Sequence, residues 1–86
     1  MMTQEEIRTT ALELLAEIAP EADLEQLDPL RHFRDQFDFD SIDFLNFAVG
    51  LQKALQIQIP EIEFPLLATL DSCVSHLHAR LERLSE

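Results

Sequence analysis

Apolar residues at Ile7, Ala11, Leu14, Leu15 and Ile18 recur three and four apart, the spacing of one helix face, and the stripe ends at Pro20. Thr3 followed three residues later by Glu6 is a capping-box pattern, in which each side chain takes up a backbone N–H that the helix leaves free, so the helix starts there. From Pro20 to Asp40 the period is lost. Leu24, Leu27, Leu30, Phe33, Phe37 and Phe39 are nevertheless too many apolar groups for a solvated linker, and the segment is expected to be a long loop pinned onto the core. A second helix follows from Ser41 to about Gln56, with Leu45, Ala48, Leu51, Ala54 and Leu55 along one face, joined by Phe44 and Phe47. Ile57-Gln58-Ile59-Pro60 should be extended, because the residue before a proline avoids the helical region. Pro65 then suits the first position of a short helix through Leu67, of one or two turns. Thr69 can cap a final helix whose face is Leu70, Cys73, Val74, Leu77, Leu81 and Leu84 and which reaches nearly to Glu86.

These elements make an all-α fold: a small four-helix bundle of three long helices and one short third helix, with a long loop between helices one and two. With 86 residues the chain supports one core, and residues 1–86 are read as a single domain. The formal charge of −11 comes from 17 acids against 6 Lys and Arg. That balance repels nucleic acid and anionic membrane surfaces and suits basic protein surfaces as partners. No apolar run approaches the roughly 20 residues needed to span a bilayer. The one cysteine, Cys73, cannot form an internal disulfide, and the N-terminus has neither the basic region nor the apolar stretch of a signal peptide, so a cytoplasmic location is expected.

The stretch that carries chemistry is Asp38-Phe39-Asp40-Ser41-Ile42-Asp43-Phe44-Leu45, a serine at the entrance to a helix with acids on both sides. Alone, Asp and Ser at a helix start are ordinary capping chemistry, and Ser41 read that way is the N-cap of the second helix. The amide groups and positive dipole end of a helix N-terminus also accept a phosphate, so one serine can serve both purposes.

Asp40-Ser41-Ile42-Asp43 resembles the modification motif of the acyl carrier protein family. The resemblance spans nearly the whole chain: a first helix, a long loop with Phe33 and Phe37, the motif itself, Ile57-x-Ile59-Pro60 after the second helix, and Thr69 opening the last. It implies that a phosphopantetheinyl transferase moves 4′-phosphopantetheine from coenzyme A onto Ser41. The arm's thiol then holds acyl-type cargo as a thioester, for acyl-loading, synthase and transferase enzymes with basic docking surfaces. On this resemblance the protein catalyses nothing itself, is a monomer, and serves lipid, fatty-acid-like or secondary-metabolite synthesis. Asp38, Asp40 and Asp43 are the implied charge patch for partners, and Ile42, Phe44 and Val49 the implied apolar contacts.

The chain departs from the family pattern at defined places. Asp38 replaces the glycine common three positions before the serine, and Asn46, Gln52 and Lys53 stand where many fatty-acid carriers have acids. A less acidic second helix favours a specialised carrier, with Lys53 helping to turn away partners built for a more acidic one. The start of the chain and the long last helix suggest a free-standing protein. The alternative from another class is an unmodified acidic helical module that docks basic enzymes through the same helix.

Other sites are excluded by pattern. An EF-hand started at Asp38 would put Ile42 and Val49 at positions that need oxygen ligands. A Ser41–His32 hydrolase triad lacks the strand and sharp turn that present such a nucleophile. His76 and His78 lie two apart on a helix, with His32 on a distant loop, so no metal site is expected and all three are read as solvated. Cys73, on the apolar stripe of the last helix, is read as a small core residue.

Overall fold

The computed structural model describes residues 2–84 and is all helical, with no strand among them. Helix α1 spans Gln4–Ile18 and opens on the expected capping box: Glu6 N–H donates to Thr3 Oγ1 at 3.1 Å and Thr3 N–H to Glu6 Oε1 at 2.8 Å. Helix α2 spans Ser41–Leu55 and α3 spans Leu70–Leu84, where Ser72 N–H donates to Thr69 Oγ1 at 3.1 Å. The expected reach of α3 toward Glu86 falls on residues outside those described. Both α2 and α3 pack against α1.

The core combines Ile7, Ala11 and Leu15 of α1, Phe47, Ala48, Leu51 and Leu55 of α2, and Leu70, Cys73, Val74 and Leu77 of α3. Every buried residue described is apolar, and the buried polar side-chain atom left without a hydrogen-bond partner is Nε of half-buried Arg80. Cys73 is fully buried, and desolvation pushes its thiol up to about 12, which leaves it protonated and inert at neutral pH. Gly50 lets α1 and α2 close up: a Cβ there would stand 2.8 Å from a terminal methyl of Leu14.

The long loop is ordered by its own contacts. Two 3₁₀ turns, Leu24–Gln26 and Phe33–Asp35, break it up, and Phe33 and Phe39 are buried in the core. Gln36 braces its middle, accepting from Asp28 N–H at 2.7 Å and donating to the carbonyls of Asp28 and Arg31 at 2.9 and 3.0 Å. Two backbone bonds tie it to the entrance of α3, Phe33 N–H to Ala68 O at 3.0 Å and Asp71 N–H to Pro29 O at 2.9 Å.

Several sequence expectations are corrected. Leu45 is 50 % exposed and Ala54 is exposed, because steps of three residues fall about 60° short of a full turn and carry the stripe off the buried face; Phe47 takes the core position instead. Leu30 is 73 % exposed on a turn closed by Leu30 N–H to Asp28 Oδ1, and Leu84, in the last turn of α3, is 64 % exposed. The short third helix is a 3₁₀ helix over Glu61–Leu67. Pro60, with φ near −61°, occupies its cap, and Pro65 lies inside it rather than opening it; the tighter winding forgoes one donor there.

The loop back from α2 to this 3₁₀ helix is also pinned by a side chain. Gln56 ends α2 in the left-handed conformation at φ 55°, and the irregular stretch that follows donates from Ile59 N–H to Gln52 Oε1 at 3.1 Å. Gln52 is therefore a bracket for this segment and is not available to the outward face of α2.

His76 and His78 are not freely solvated. His76 Nε2 lies 2.6 Å from Glu63 Oε1, and Arg80 Nη1 donates to both Glu63 oxygens at 2.8 and 2.9 Å, latching the 3₁₀ helix onto α3. His78 Nδ1 is 3.0 Å from Glu82 Oε1, one turn along α3. The hydrogen bond from His76, followed by the charge of Arg80, holds the Glu63 carboxyl below its ordinary range against an opposing desolvation. No helix among the described residues is long and apolar enough to cross a membrane.

Candidate functional site

Ser41 is exposed at the first position of α2, and the N-cap is Asp40, not Ser41. The cap is a second capping box: Asp43 N–H donates to Asp40 Oδ1 at 2.8 Å and Asp40 N–H to Asp43 Oδ2 at 3.2 Å. An N-cap aspartate with an acid three residues on fills this role directly, which frees the serine from it. The Ser41 hydroxyl makes no hydrogen bond among the described residues. Two of the four amide donors that a helix start leaves open are met by the box, and those of Ser41 and Ile42 remain.

Beside Ser41 lies a cavity of about 380 Å³, walled by Phe33, Phe39, Phe44, Phe64, Pro65 and Ala68, with His32, Arg34, Asp40 and Ser41 as its polar lining. The long loop, the start of α2 and the 3₁₀ helix each supply part of the wall. The aromatic residues brace one another edge-on: Phe39 and Phe44 have ring centres 6.3 Å apart, and Phe44 and Phe64 6.2 Å apart. Such tilted contacts place the positive ring edge against the negative face of the neighbour.

This arrangement sorts the residues singled out in the sequence. Asp38, Asp40 and Lys53 are exposed, and Asp43 is half-buried within the capping box. Ile42 is 67 % exposed and Val49 39 % exposed. Phe44 does not join them: it is half-buried and turned into the cavity wall, and Leu45 stands outward in its place. At about 100° per residue, Ile42, Leu45, Val49 and Lys53 share one outward face of α2. His32 and Arg34 are exposed on the loop and were not expected at the site; no local pattern in the sequence marks them, since a fold-level approach brings the loop to Ser41. Among the described residues there is no group of His, Cys, Asp and Glu that could hold a metal ion.

Residues 9–77 match a family model described as a phosphopantetheine attachment site. No curated protein matches the chain significantly.

Proposed function

The chain belongs to the phosphopantetheine attachment site family, and from that premise we propose that Ser41 is its attachment point and that residues 1–86 work as one carrier domain. Members of this family are carriers and not enzymes; they hold 4′-phosphopantetheine covalently and meet a phosphopantetheinyl transferase and the synthase enzymes they serve. When attached, the arm supplies a terminal thiol on which an acyl group rides as a thioester.

The observation that carries the assignment to Ser41 is its exposed hydroxyl, left unbonded because Asp40 takes over the capping. The unmatched amide donors of Ser41 and Ile42 suit a phosphate at that helix end. Ser41 also lies within the matched span and opens on the apolar cavity. Ser75 is exposed within the same span but sits in the middle of α3, away from any helix start.

The partner surface in this reading is the outward face of α2, with Ile42, Leu45 and Val49 as contact residues and Asp38 and Asp40 as exposed charge beside the arm. The partners are acyl-loading, synthase and transferase enzymes that bring basic groups to the acids and an apolar patch to the helix. The protein works as a monomer in the cytoplasm, and its neutral-to-basic helix face points to a specialised carrier in lipid, fatty-acid-like or secondary-metabolite synthesis. The attachment is tested by incubating the protein with coenzyme A, magnesium and a broad-specificity phosphopantetheinyl transferase and weighing it intact. A gain of one phosphopantetheinyl group, abolished in Ser41→Ala, is expected. No gain refutes the assignment and leaves an unmodified docking module, and an undiminished gain in the variant refutes it by moving the attachment to another residue.

A further inference from the structure

A phosphodiester at Ser41 meets an unfavourable field. Asp40 precedes it, Asp43 lies within the same capping box, Asp38 is exposed on the approaching loop, and the whole chain carries −11. Like charges at this range oppose a bound phosphate, so the site needs a compensating cation. The six Lys and Arg are few and mostly placed elsewhere. Arg31 donates to Asp35 O at 3.2 Å, and Arg80 is bonded to Glu63. Arg8 lies in α1, Lys53 in the last turn of α2 and Arg83 in the last turn of α3.

Arg34 differs from all of these. It is the one Lys or Arg that lines the same cavity as Ser41, and its side chain, like those of Arg8, Lys53 and Arg83, makes no ion pair or hydrogen bond among the described residues. His32 lines that cavity too, two residues away across the cap of the second 3₁₀ turn. The one acid in the lining, Asp40, already accepts from Asp43 N–H at 2.8 Å and is partly engaged. The loop that carries Arg34 is held in place by the burial of Phe33 next to it and by the bond from Phe33 N–H to Ala68 O.

We propose that Arg34, assisted by His32, is a positioning residue that pairs with the phosphodiester on Ser41 and holds the root of the arm against the loop. A guanidinium suits this task because its planar fork pairs with two phosphate oxygens at once and remains charged at any working pH. The pairing offsets the acids around Ser41 and restrains the arm in the free carrier, to be loosened by salt or by a partner's own basic groups. The inference rests on Ser41 being the attachment point.

The test uses the modified, full-length protein, with attachment first verified by intact mass. Phosphorus NMR is recorded for the wild type, Arg34→Gln and Arg34→Lys; Arg34 is exposed, so the fold is expected to survive, and circular dichroism checks it. At low salt the wild-type phosphorus resonance should be displaced and relax faster than that of Arg34→Gln, with Arg34→Lys between the two. The difference should close toward about 0.5 M salt, where screening acts within a few ångströms. The Arg34 Nε–H resonance should also move between the unmodified and modified wild type. Verified attachment with identical phosphorus shifts and relaxation in wild type and Arg34→Gln overturns the role of Arg34 alone. Absence of the mass gain overturns it together with the assignment of Ser41.

Discussion

Replacing Phe39 by alanine probes the joint on which the site depends. Phe39 lies two residues before Ser41 and is 7 % exposed. Its ring centre is 5.5–5.7 Å from those of Phe37 and Phe33 and 6.2–6.3 Å from those of Phe47 and Phe44, so it couples the loop to α2. Truncating a buried phenylalanine costs about 3–5 kcal/mol, lost transfer energy plus the cavity left behind. The low end applies here, because Phe39 also lines the cavity beside Ser41, so the space vacated opens onto that cavity and less of it remains as an enclosed void. Against a total of about 4–13 kcal/mol for a domain of this size, a loss of about 3 kcal/mol is severe without being certain to unfold the protein. At about 4–8 °C per kcal/mol the melting temperature should fall by about 12–24 °C. Phe39→Leu, which keeps most of the apolar volume, should cost less than about 1.5 kcal/mol. Urea unfolding followed by circular dichroism measures both, with the slope against denaturant checked for constancy. A loss below about 1 kcal/mol in Phe39→Ala would refute the argument, since the ring would then not join the loop to the helix.

The Glu63 latch has a defined pH signature. Because the Glu63 carboxyl is held below its ordinary value by His76 and Arg80, its contribution is present above the unfolded-state pKa and is lost as pH falls through the folded-state value. The melting temperature of Glu63→Gln should therefore lie below that of the wild type near pH 6, with the gap closing below about pH 4; a gap that persists at lower pH would show that charge is not its source. For docking, Leu45→Asp should lower kcat/KM of the transferase by about tenfold or more, while Asp38→Asn costs about fivefold at most, as expected of a buried contact against one exposed charge. Both variants should keep the wild-type circular dichroism, and wild-type processing of folded Leu45→Asp would remove the outward face of α2 from the interface.

What could be read from the sequence was whatever is decided locally. The Thr3–Glu6 box, the start of α2 at Ser41 and the Thr69 cap each depend on residues within one turn of each other, and each stands where expected, although the cap of α2 falls to Asp40 and not to Ser41. The choice between Phe44 and Leu45 could not be made that way. Both are apolar neighbours on one helix, and which of them turns outward depends on where the loop and the 3₁₀ helix dock. The Glu63–His76–Arg80 latch joins residues 13 and 17 apart, and the approach of Arg34 to Ser41 follows from the burial of Phe33 and Phe39 on either side of it. Gln36 and Gln52 were invisible for a related reason: an amide side chain gives no sign in sequence that it will close a loop.

The same docking decides what the unusual residues of α2 do to specificity. Of the neutral or basic residues that set α2 apart in sequence, Gln52 is turned to bracketing Ile59 N–H. Asn46 and Lys53 stay exposed, and the one acid within α2, Asp43, is engaged in the capping box. A partner that presents a row of basic groups to this helix therefore finds apolar Ile42, Leu45 and Val49 and the like charge of Lys53, and its cations lose water without gaining a counter-charge. Each buried polar group left unpaired in this way costs about 1–3 kcal/mol. With the arm on Ser41 as proposed, a partner that has an apolar patch, and basic groups only at Asp38 and Asp40, escapes that penalty. Discrimination then comes as much from the cost imposed on the wrong enzyme as from attraction to the right one. The strong overall negative charge steers both toward the carrier alike.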